Sequence, residues 1–167
     1  MKFLTRIADG SVKLASALQA SLGLSSANQI IATDDAGKLD PSFLPAGVEI
    51  QTISAVASEA LAAGDFVNVY DDAGTTKVRL ADASDVNKIA LGFVLEAVAQ
   101  DGVASVYTKG YNNLVVGAEN TKYFLSDSTP GAASTSAPAD VAGSFQQVLG
   151  FGMGDGILFE LDDVIYF

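Results

Sequence analysis

The chain has 167 residues, 20 acidic groups against 9 basic ones for a net charge of −11, and no cysteine, histidine or tryptophan. These counts exclude a disulfide framework, a zinc site built from Cys or His, and Ser-His-Asp or Cys-His catalysis within the chain. They also disfavour a grip on nucleic acid or anionic lipid, which needs clustered Lys and Arg, while 49% hydrophobic residues mark a chain able to bury a core rather than a disordered one.

Residues 1–47 are rich in Ala, Ser and Leu. Arg6, Asp9 and Lys13 interrupt the first segment, so no apolar run of signal-peptide length is expected there. No run of about 20 apolar residues follows that would span a membrane. Ser11 to Leu22 reads as a short helix: Ala15, Leu18 and Leu22 share a face, Asp9 or Ser11 caps the start, and Gly23 ends it. Ile30-Ile31 reads as a short strand, followed by a turn at Asp34-Asp35-Ala36-Gly37 and an extended stretch held by Pro41 and Pro45.

From about Glu49 the period changes to two. Ile50 to Val56 is a weak strand. Phe66 to Tyr70, the turn Asp71-Asp72-Ala73-Gly74 and Lys77 to Leu80 make a hairpin. Ile89 to Val98, with Gly92 marking a bulge or a close backbone approach, and Val103 to Thr108 make a second. Lys122 to Ser126 is a further strand, and 127–144 a polar loop dense in Ser, Thr, Ala, Pro and Gly. Phe145 to Gly152 and Ile157 to Leu161 are the last two expected strands, and the apolar tail Val164 to Phe167 is expected to dock. Eight or more short strands with turns every 8–12 residues predict a mainly β chain: an antiparallel barrel or sandwich over 48–167, preceded by an extended N-terminal arm over 1–47 that carries the short helix.

The residues offer little chemistry. The Asp pairs at 34–35, 71–72 and 162–163 do not have calcium-loop spacing, and two of them sit in the same Asp-Asp-Ala-Gly turn phrase. The alternating glycines at 150–156 lead into a strand rather than a helix, so they read as a hairpin turn and not as a phosphate cradle. The Ser/Thr cluster at 126–136 reads as an exposed loop. The aromatics fall inside strand patterns, where packing is the default. No catalytic residue, metal ligand or cofactor is expected.

Ala32 to Pro45, ATDDAGKLDPSFLP, resembles a "GKLDPSLLP" phrase common in virion proteins of tailed bacteriophages. Ser58 to Val69, Lys88 to Val94 with Asp101 to Tyr107, and Tyr123 to Ser126 with Thr129-Pro130-Gly131 and Gln146 to Gly150 resemble, in the same order, the phage capsid decoration (cement) proteins. The resemblance covers about 30–167. It implies a β-rich protein, commonly a homotrimer, bound to the outer surface of an icosahedral head, where it clamps neighbouring capsomers and carries out no chemistry. The implied partner is the major capsid protein, with no direct nucleic acid and no membrane. The GKLDP phrase also occurs in tail-fibre and tail-tip proteins, which keeps open a module binding a host receptor or glycan.

On the decoration reading, residues 1–47 are the segment that reaches a neighbour, by strand addition to an exposed sheet edge. Phe3, Leu4, Ile7, Ile30, Ile31, Leu39, Phe43 and Leu44 are its anchors, and Pro41 and Pro45 stiffen the approach. The alternative is an ordinary strand and helix packed on the chain's own barrel. Binding through apolar and main-chain contacts predicts weak dependence on salt.

Overall fold

The computed structural model describes residues 2–6, 11–27, 29–33, 35, 37, 39–40, 43 and 52–167. Contacts divide the chain into two compact units, Met1–Ile50 and Gln51–Phe167. The described chain is mainly β, with a short 3-10 turn at Gly23–Ser26.

In the first unit, β1 (Lys2–Arg6) and β2 (Val12–Ser16) form an antiparallel pair. This corrects the helix expected over Ser11 to Leu22. Twelve residues with one apolar stripe are marginal as an isolated helix, whereas pairing Val12–Ser16 with Lys2–Arg6 gives both segments a ladder of main-chain bonds. Further on, Leu18 makes a parallel bridge with Ile31: its N–H donates to the Ile30 carbonyl (2.9 Å), and the Ala32 N–H donates to the Leu18 carbonyl (2.7 Å).

The second unit holds a closed barrel of β3 (Thr52–Ala57), β4 (Phe66–Asp72), β5 (Thr75–Leu80), β6 (Gly92–Val94) and β7 (Val103–Tyr107), ordered β3-β5-β4-β6-β7. The first expected hairpin is present as β4–β5; the second is present as β6–β7, with the strand expected over Ile89 to Val98 reduced to Gly92–Val94. At the first, the Gly74 N–H donates to the Asp71 carboxylate (3.2 Å), an Asx hydrogen bond of the kind expected of that phrase. Gly92 is the close approach: a Cβ there would lie 2.5 Å from the Tyr107 carbonyl oxygen. The barrel departs from an all-antiparallel one where it closes, because β3 pairs β5 in parallel through Val56–Lys77 and Ala57–Val78. The chain between these two strands makes the hairpin partner β4, so β5 returns in the direction of β3. Alternating residues fill the interior: Ala55, Ala57, Val67, Val78, Val94, Ala104 and Val106, with Leu61. Alanines facing valines suit so narrow a barrel.

A second sheet runs β10 (Ala133–Ser134), β9 (Lys122–Leu125), β11 (Phe145–Gly152), β12 (Ile157–Phe159), β8 (Gly110–Asn112), with β13 (Val164–Tyr166) also on β11. Its inner face packs on the barrel. Phe66 and Phe93 come from barrel strands and Phe159 from the sheet, and their three ring centroids lie 5.7–6.3 Å apart. Phe145, Leu149, Leu125 and Ile157 complete this core. Each such buried side chain stabilises by about 1.5–3 kcal/mol relative to exposure, so the aromatic triad is what joins barrel to sheet.

The polar loop at 127–144 is not an open excursion. It contains β10, and its Gly131 N–H donates to the Ala81 carbonyl (2.7 Å) while its carbonyl accepts the Phe66 N–H (2.9 Å). The apolar tail docks as expected, with β13 on Phe145–Gln147 and the Tyr166 ring 6.2 Å from Phe145.

Candidate interaction surface

The solvent face of the second sheet carries apolar residues where an alternating strand would place polar ones. Antiparallel register sets Leu158 of β12 opposite Phe151 of β11 and Tyr111 of β8, and Phe151 opposite Lys122 of β9. Residues directly opposite share a face, so Lys122, Phe151, Leu158 and Tyr111 form one row across four strands. Phe151 is 52% exposed, Leu158 43% and Tyr111 38%. The Tyr111 hydroxyl donates to Asp155, which raises the phenol above its ordinary value. Phe124 and Val148, opposite one another in the next row, are half-buried.

Beside this row the sheet is interrupted on both sides of one short stretch of β11. Towards β9, the register slips by one residue between Val148 and Gly150. Towards β12 and β13, Gly150 pairs Phe159 and Gln147 pairs Val164, so two residues on β11 face four on the other chain segment. Glu160 keeps one main-chain bond to β11, its N–H donating to the Leu149 carbonyl (3.3 Å), and Leu161 to Asp163 leave the ladder; all four residues are exposed. The expected strand Ile157 to Leu161 accordingly ends at Phe159. The kink needs glycine at position 150: φ is +139°, and a Cβ would lie 1.9 Å from the Leu158 carbonyl oxygen.

The two bulges open a groove of about 290 Å³ lined by Val148, Gly150, Phe151, Leu158, Glu160, Leu161 and Asp162. That volume is at the bottom of the range of roughly 300–1,000 Å³ occupied by small-molecule pockets, and suits one or two side chains of a longer partner. Bulges recur where a sheet is shaped for binding. Most of the lining is apolar, and Glu160 and Asp162 are its acidic members. Glu160 pairs with Lys109. The Asp162 carboxylate accepts the Asp163 N–H (2.9 Å), and among the described residues neither Asp162 nor Asp163 has a basic partner.

The arm residues expected to bind a partner are placed as follows. Phe3 and Leu4 lie in β1 opposite Ala15 and Leu14. Ile30, Ile31 and Leu39 are exposed, with Ile31 on its bridge to Leu18. Phe43 is half-buried, its N–H donating to the Asp40 carbonyl (3.1 Å). Ile7, Pro41, Leu44 and Pro45 lie outside the described residues.

Sequence reasoning passed over the groove entirely. The available signal was small: Val148 to Phe151 and Leu158 to Leu161 put apolar residues on both phases of a period-two pattern, which a strand covered on one face alone does not require. Among the described residues no group of three or more Asp or Glu is arranged to hold a metal ion. No protein-family model matches the chain, and neither a curated protein nor a solved structure matches it.

Proposed function

We propose that this chain is a structural virion protein that binds the outer surface of an icosahedral phage head, as a trimer, and stabilises contacts between capsomers. The observation that carries the proposal is the ordered series of phrases resembling decoration proteins between Ala32 and Gly150. Several of them form framework: Phe66–Val69 lies in β4, Gly92–Val94 in β6, Val103–Tyr107 in β7 and Gln146–Gly150 in β11. The exposed apolar row of Tyr111, Leu158 and Phe151 adds a surface suited to adhesion without catalysis. The arm residues Phe3, Leu4, Ile30, Ile31, Leu39 and Phe43 remain part of the proposed contact, together with those outside the described residues.

The test is reconstitution. Purified protein is added to heads stripped of it, and binding and resistance to heat or chelator are measured. Binding with restored resistance is the expected result. It should change little between low and moderate salt, because contacts made through apolar groups and the main chain are poorly screened. Protein that ignores heads and binds intact host cells would replace this reading with the receptor-facing one.

A further inference from the structure

We infer that the bulged groove of the second sheet is a binding site for an extended protein segment that presents an apolar side chain next to a lysine or arginine. Which protein carries that segment depends on the virion reading; the chemistry of the groove does not.

Shape, polarity and charge each restrict the occupant. The groove holds about 290 Å³ and opens to solvent along the sheet, so it takes a side chain of a chain lying across it rather than an enclosed ligand. Val148, Phe151, Leu158 and Leu161 offer it apolar contact. Leu161 is the telling residue: it is 53% exposed on a segment that has left its ladder. With Phe151 and Leu158, which are also exposed and line the same groove, it makes a contiguous apolar patch open to water. Flanking that leucine, Glu160 is already neutralised by Lys109, while Asp162 and Asp163 are not paired among the described residues. The excess charge at the rim is therefore negative, within a unit that has 15 acidic and 5 basic residues over 51–167. An anionic partner is repelled and a cationic one steered in. A second copy of the groove fails on this count, because it would set Asp162 against another acidic rim.

The experiment uses the full chain and a capped hexapeptide with a central Phe-Leu pair flanked by lysines. Controls are the same peptide with glutamates for lysines and one with serines for Phe-Leu. Amide chemical shifts are followed during titration. The expected result is saturable shifts confined to 148–151 and 158–163 with the basic apolar peptide, and at least about tenfold weaker binding for either control. Leu161→Ser should weaken binding about tenfold without moving the melting temperature, since the residue is half exposed and lies outside the ladder. Asp162→Lys should narrow the gap between the lysine and glutamate peptides. Equal binding of all three peptides, or shifts that fall elsewhere, would overturn the proposal. So would a concentration-dependent dimer abolished by Leu161→Ser, which would assign the groove to a second copy. Failure of head reconstitution with the peptide result intact would remove the virion reading alone.

Discussion

Gln147 is the buried polar residue on which the joint between barrel and sheet depends. Its amide oxygen accepts the Ala90 N–H (2.8 Å) and its amide nitrogen donates to the Ala90 carbonyl (2.7 Å), so one side chain satisfies both main-chain groups of a fully buried residue. Gln147→Leu keeps the volume roughly and leaves both groups unpaired. Each costs about 1–3 kcal/mol, so the urea midpoint should fall markedly with an unchanged slope. Asp65 acts in the other direction. Partial burial lifts its carboxyl above the ordinary value of 3.8; the Ala62 N–H bond opposes the rise and Glu59 adds to it. A carboxyl raised on folding binds its proton more tightly in the folded chain, so stability declines as pH rises from the unfolded value through the folded one, and the ionised group is a fixed burden above that. Asp65→Asn retains an oxygen for the Ala62 N–H. The variant should match or exceed the parent at neutral pH, with the gap shrinking as pH falls towards 3.8, as read from paired melting curves.

At the scale of elements, the strand pairing is governed by segments whose partners are near in sequence or carry strong alternation. Phe66–Asp72 and Thr75–Leu80 are legible because a two-residue turn with an Asx bond leaves little choice of register. Phe145–Gly152 is legible as a strand from its composition, but not its bulges, because nothing in a single strand's residues states how many residues its neighbours place opposite it. The parallel closure of β3 on β5 and the strand at Val12–Ser16 were hidden for the same reason: each is fixed by a partner supplied from elsewhere. The tail shows what such a partner contributes. Val164–Tyr166 pairs the first residues of β11, and the Phe167 N–H donates to the Ser144 carbonyl (3.1 Å). Ending the chain at Asp163 removes this cover from Phe145, which is otherwise fully buried. Re-exposing part of one Phe and losing the ladder should cost about 2–4 kcal/mol, measurable by urea denaturation. The chain should still fold, because the Phe66, Phe93 and Phe159 triad is untouched.

For the whole molecule, the question is what each unit supplies. Among the described residues, both core clusters draw only on residues from 55 to 164. Stability should therefore reside in the second unit, and a chain of residues 51–167 should melt cooperatively within a few degrees of the full chain. The same unit carries most of the negative charge, 15 acidic against 5 basic residues, whereas residues 1–13 hold Lys2, Arg6 and Lys13 against Asp9. Removing 1–50 thus takes away the expected arm while keeping the groove, its acidic rim and the apolar row. If the arm supplies the contact with the shell, the shortened chain should lose head binding and keep the basic hexapeptide. If the groove supplies it, both should survive, and Leu161→Ser should then weaken both together. Head co-sedimentation and peptide titration on the one shortened protein separate the two, since its melting curve reports whether any loss comes from unfolding. A shortened chain that fails to fold would show instead that residues 51–167 do not fold on their own.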